Sequence, residues 1–87
     1  MKIKVGLFGS FRNFGNGEFI SFDVNFPLIA DELKKILALE IQKQNGQNVD
    51  IELLKSSVIG NDSEIFQGSQ ELEAAPEWVI LPPVCGG

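Results

Sequence analysis

The chain contains no histidine and no tyrosine, and its 87 residues include a single cysteine. Without histidine there is no ordinary acid–base group near neutral pH. There is also no imidazole ligand for a catalytic zinc and no Ser–His or Cys–His nucleophile pair. One cysteine forbids an internal disulfide and fits a reducing compartment. Basic residues are short as well, 7 against 12 acidic ones for a net charge of −5. With no basic stripe to face phosphates, nucleic acid is not an expected partner. Such acidity suits the basic surface of another protein instead. Long apolar runs are missing too: no stretch approaches a membrane span, and the start MKIKVGLF is too short and too alternating for a signal peptide. The expectation is a soluble, cytoplasmic protein that makes no membrane contact.

What is present is enough apolar side chain for a core, 44% of residues with seven phenylalanines, in a chain short enough to be one domain. KIKVGLF alternates, with Ile3, Val5 and Leu7 on one face and Lys4, Gly6 and Phe8 on the other, as a half-buried strand does. GSFRNFGNG, residues 9–17, ends in Asn-Gly and reads as a hairpin loop. EFISFDVNF, residues 18–26, alternates again and sends Ile20, Phe22, Val24 and Phe26 inward, which makes an antiparallel hairpin. After Pro27 the period changes. Ile29, Leu33, Ile36 and Leu37 fall on one face of a helix, with Asp31 and Glu32 near its first turn, an Asp31/Lys35 surface pair, and Gly46 as a left-handed stop.

IELLKSSVIG, residues 51–60, reads as a third strand, a short strand follows near Glu64–Phe66, and EWVILPP supplies the last, with Trp78 and Ile80 to one side and Val79 and Leu81 to the other. The order β-β-α-β-β-β, with one helix to cover a mixed sheet of four to five strands, is the α+β, ubiquitin-like β-grasp arrangement. Residues 1–82 form that domain, and 83–87 form an extended C-terminal tail.

The sequence closes on ILPPVCGG. Pro82 and Pro83 lack N–H donors, halt the ladder and favour a polyproline conformation. Residues 83–87 then project roughly 15 Å at about 3.1 Å per residue. Gly86 and Gly87 have no side chains, so a terminal carboxylate can enter a channel that would exclude any Cβ. A carboxylate becomes an acyl donor once ATP adenylates it, and sulfide or a persulfide can attack the acyl–AMP. The chain has no GxxxxGK[ST] cradle for ATP. Activation therefore belongs to a partner, with this chain as substrate and then carrier.

LPPVCGG resembles the terminal (F/L)PPV-x-GG of the MoaD-type sulfur carriers, the small subunits of molybdopterin synthase. IKV-LF at the start, Phe11-Arg12, the Pro27-to-Leu33 entry to the helix, Asn61-Asp62 and Glu71-Leu72 agree with that family more loosely. The resemblance implies that Gly87 is adenylated by a ubiquitin-activating-like, MoeB-like adenylyltransferase and converted to a thiocarboxylate with a persulfide as sulfur donor. Pro82, Pro83, Val84, Cys85 and Gly86 would insert into the large, MoaE-like subunit, which transfers the sulfur to the pterin precursor. The chain alone would hold no active site, no metal and no bound cofactor, ATP being used by the activating partner. Two departures stand out: Ala74–Glu77 replaces the family's Asp-Gly-Asp-Glu, and Cys85 occupies a position that is commonly Thr or Ala.

Cys85 reads either as a thiol that captures the adenylate or as a small residue in a variable slot. Phe8, Val79 and Leu81 read as an exposed apolar patch at the tail root, where both partners would dock, unless a one-residue register shift turns them inward. The glycine-rich 9–17 segment lacks the Lys and Ser/Thr of a phosphate loop, Arg12 reads as solvated, Asn61-Asp62-Ser63 as a turn, and Trp78 as core. Rival functions are a ThiS-type carrier for thiamine biosynthesis, a ubiquitin-like protein modifier that joins Gly87 to lysines, and a binding module with an inert tail.

Overall fold

The computed structural model describes residues 1–14 and 18–82. Asn16-Gly17 of the expected hairpin signal, and Pro83, Val84, Cys85, Gly86 and Gly87, lie outside the described residues. Strand β1 (Lys2–Leu7) pairs antiparallel with β2 (Phe19–Asp23) and parallel with β7 (Glu77–Leu81). On its other side β7 pairs antiparallel with β4 (Val58–Gly60), which pairs with β5 (Ile65–Phe66). The five-stranded order is thus β2-β1-β7-β4-β5, with the first and last strands adjacent at its centre. Helix α1 (Ala30–Asn45) lies across one face, which completes the β-grasp expected from the alternation and helix position.

The core forms where those two periods meet. Ile3, Val5, Leu7, Ile20, Phe22, Trp78 and Ile80 turn inward from the sheet and meet Ala30, Leu33, Leu37 and Ile41 of α1. Ile36 and Phe26 are only partly buried. The reason for Ile36 is helical phase: it sits about 100° around the helix from its neighbour Leu37. Trp78 is buried as expected, its indole N–H donating to the Ala75 carbonyl at 2.9 Å between the rings of Phe26 and Phe66.

Four expectations need correction. Residues 51–60 do not form one strand: α2 (Ile51–Ser56) occupies the first six, and β4 begins at Val58. The Asp50 carboxylate accepts from the Glu52 N–H at 3.0 Å, and this cap turns the chain helical where its apolar residues do not alternate. Second, Ile29 is not helical. It belongs to a two-residue strand β3 (Leu28–Ile29) paired with β6 (Glu71–Leu72), a small ladder that the sequence reading missed. That ladder brings up a turn whose Gln70 and Gly68 carbonyls accept from Ala30 N–H at 3.0 Å and Asp31 N–H at 2.9 Å. Two free donors of the first helical turn are thus satisfied by backbone, and the Glu32 carboxylate accepts from Ile29 N–H at 2.9 Å.

Third, Asp31 pairs with Lys34 at 3.4 Å rather than with Lys35. Lys34 points toward the α2–β4 junction, and Asp31 lies one turn behind it. Fourth, Gly9–Phe14 is a 3-10 helix rather than open loop, pinned by the wholly buried Phe11. Gly46, at φ 69°, does stop α1 in the left-handed region, donating its N–H to the Gln42 carbonyl at 2.9 Å. Asn61-Asp62-Ser63 is a turn, the Asn61 side chain accepting from the N–H groups of Ser63 and Glu64 at 2.8 and 2.9 Å. Among the described residues no helix is long and apolar enough to cross a membrane.

Candidate functional site

The helix covers one face of the sheet and leaves the other open. Residues directly paired across strands share a face, so the ladder registers read off what the open face presents. One row runs Phe19, Gly6, Val79, Gly60, Ile65 across all five strands. Val58 and Leu81 form the next row toward the end of β7, and Ser21, Lys4 and Glu77 flank the other side. Phe8 is 41% exposed and leans over the first row: a Cβ on Gly6 would stand 3.2 Å from its ring and 3.4 Å from Val79 Cγ1.

The three residues expected at the tail root are therefore on one face, away from the helix, but only Phe8 is exposed: Val79 and Leu81 are half-buried. Phe8 and Val79 pack together across Gly6, and Leu81 lies on the same side of β7 beside Val58. Two further apolar residues belong with them and were not anticipated. Phe19 is 39% exposed and Ile65 55%. Phe19 was legible in principle, because it alternates opposite Ile20 and Phe22. Ile65 was not, since a two-residue strand has no period to read.

The margin is charged. Lys4 Nζ sits 4.2 Å from the centre of the Phe19 ring, within cation–π range. Lys4, Arg12, Glu18 and Glu77 border an open depression of about 440 Å³ floored by Gly6, Phe8, Phe19 and Val79. An apolar strip with a polar margin is what a protein–protein contact requires. Among the described residues no group of three or more His, Cys, Asp or Glu side chains converges as metal ligands would.

Pro82, the first of the expected insertion residues, leaves this same end of the sheet. β7 is held by β1 through Ile80 and by β4 through Leu81. Past Leu7 the neighbour on the β1 side is the 3-10 segment, and Pro82 packs against Gly9 there. Pro82, the last described residue, thus lies beside the apolar strip at the end of the most central strand of the sheet.

No family model matches the chain, and no curated protein matches it. Among solved structures it is similar to SAMP1 from Haloferax volcanii, with a TM-score of 0.63 over the whole of both chains and 16% identity. At that identity the likeness is one of fold, and it agrees with the β-grasp assignment.

Proposed function

We propose that this chain is a sulfur carrier of the molybdopterin synthase small-subunit type, with Gly87 as the residue that is adenylated and then bears the thiocarboxylate. The supporting observation is the junction at Pro82. A β-grasp domain with an exposed apolar strip hands over to Pro83-Val84-Cys85-Gly86-Gly87 from its central strand, right beside that strip. A partner that grips Phe8, Val79 and Leu81 thereby has the last glycines within reach.

Two proteins would use that face in turn. A MoeB-like adenylyltransferase binds ATP, joins AMP to the Gly87 carboxylate with release of pyrophosphate, and leaves an acyl–AMP. The outer sulfur of a persulfide donor displaces AMP to give an acyl disulfide. A second thiol then cleaves its S–S bond, forming a disulfide with the donor sulfur and releasing the thiocarboxylate. The MoaE-like large subunit then receives the tail and moves the sulfur onto the pterin precursor, so the catalytic groups are the partner's and the reagent is this chain's.

The test is to mix the protein with a competent activating enzyme, ATP and a sulfur source, and to weigh it intact. Exchange of one oxygen for sulfur, lost on deleting Gly87, is the expected result. Absence of both adenylate and thiocarboxylate would overturn the reading. Recovery of Gly87 in isopeptide linkage to lysines would instead favour a protein modifier, and sulfur transfer to a thiazole precursor a ThiS-type carrier.

A further inference from the structure

Gly9 has two separate reasons to be glycine. Its φ of +57° lies in the left-handed region, and a Cβ there would stand 2.6 Å from Pro82 Cγ and 3.4 Å from Pro82 Cδ. Gly46 makes the comparison clear: its φ is +69°, yet nothing lies within 4 Å of where its Cβ would be. Conformation alone accounts for Gly46. At Gly9 the space is also taken.

Neither side of that contact can easily give way. Gly9 opens the 3-10 helix, whose Phe11 is fully buried and donates its N–H to the Phe8 carbonyl at 3.0 Å. Pro82 follows Leu81, which is paired to Val58 of β4. The pyrrolidine ring fixes the φ of Pro82 and offers no donor, so residue 82 is placed by packing rather than by a ladder bond. We propose that Gly9 is a positioning residue for the carrier segment: its bare Cα seats the Pro82 ring and sets the heading at which residues 83–87 leave the sheet. The consequence for activation rests on the sulfur-carrier reading above; the seat itself does not. The end of a substrate arm must reach another protein's reacting atoms, and misplacement by about 1 Å can cost a hundredfold in rate.

Three proteins test this: wild type, Gly9→Ala and Gly46→Ala. Gly46→Ala imposes the same left-handed strain without touching Pro82. A nitroxide on the sole cysteine, Cys85, reports the heading through the backbone amides it broadens. Wild type and Gly46→Ala should broaden the same one-sided set of amides, and Gly9→Ala a different set. In unlabelled protein, kcat/KM for adenylation should fall about tenfold in Gly9→Ala and stay within about twofold in Gly46→Ala. Identical broadening in Gly9→Ala and Gly46→Ala would overturn the seat. A wild type that a competent enzyme never adenylates would overturn the carrier function, while the broadening comparison would still decide the seat.

Discussion

Among the described residues, Lys34 is the one basic side chain that the fold takes inside. Its side chain is 8% exposed, and Nζ donates to the carbonyls of Ser57 at 3.1 Å and Lys55 at 3.3 Å while pairing with Asp31. An amine taken out of water is tolerable only when its protons find acceptors. Here the acceptors are the carbonyls at the end of α2, so one ammonium joins the helix to the start of β4. Lys34→Met keeps much of the stem and abandons those carbonyls. The expected loss is about 1–3 kcal/mol, the cost of leaving buried acceptors unpaired. Urea unfolding checks it: the midpoint should drop with the slope unchanged. Sequence could not choose between Lys34 and Lys35. Adjacent lysines differ by a step around the helix, and only the position of α2, itself misread, decides which one turns inward.

Among the elements, legibility followed periodicity. β1, β2, β7 and α1 show a period, and each was readable from alternation or three-to-four spacing. β5 was expected from its turn-flanked position, whereas α2 has no clear alternation and β3 and β6 are two-residue strands that depend on their neighbours. α2 shows the mechanism. Its sequence IELLKS fits a strand as well as a helix, and Asp50 tips the balance by satisfying a first-turn donor. Asp50→Ala should cost about 1 kcal/mol. Hydrogen exchange should locate that loss, with amides of Leu54 and Ser57 exchanging faster while those of β1 and β7 change little. Uniform acceleration across the chain would mean that α2 is not a separable unit. The candidate site was legible for a related reason: Val79 and Leu81 sit on a long strand whose inward partners, Trp78 and Ile80, fix the phase.

On the scale of the whole molecule, the layered fold makes two surfaces of different use. Helix α1 closes one face of the sheet, and the outward row from Phe19 to Ile65 is left on the other, centred on Val79. Glycines 6 and 60 flank Val79 within that row, and the space above them is taken by the Phe8 ring and by Glu64 and Ile65. Val79→Asp places a charge there without entering the core, because Trp78 and Ile80 carry the inward packing. Stability should fall by about 1–3 kcal/mol, because Val79 is half-buried on the central strand, so binding is compared under conditions where the variants are folded. Affinity for a protein that grips this face should fall at least about tenfold, since a buried carboxylate would lack a partner. Leu39→Asp is the matched control: Leu39 is 60% exposed on the helix layer, so the same charge falls on the opposite surface. Titration calorimetry against the activating enzyme should separate the two variants, weakened binding for Val79→Asp and wild-type binding for Leu39→Asp. Equal effects would mean that net charge governs docking, and the apolar strip would then lose its claim to be the contact.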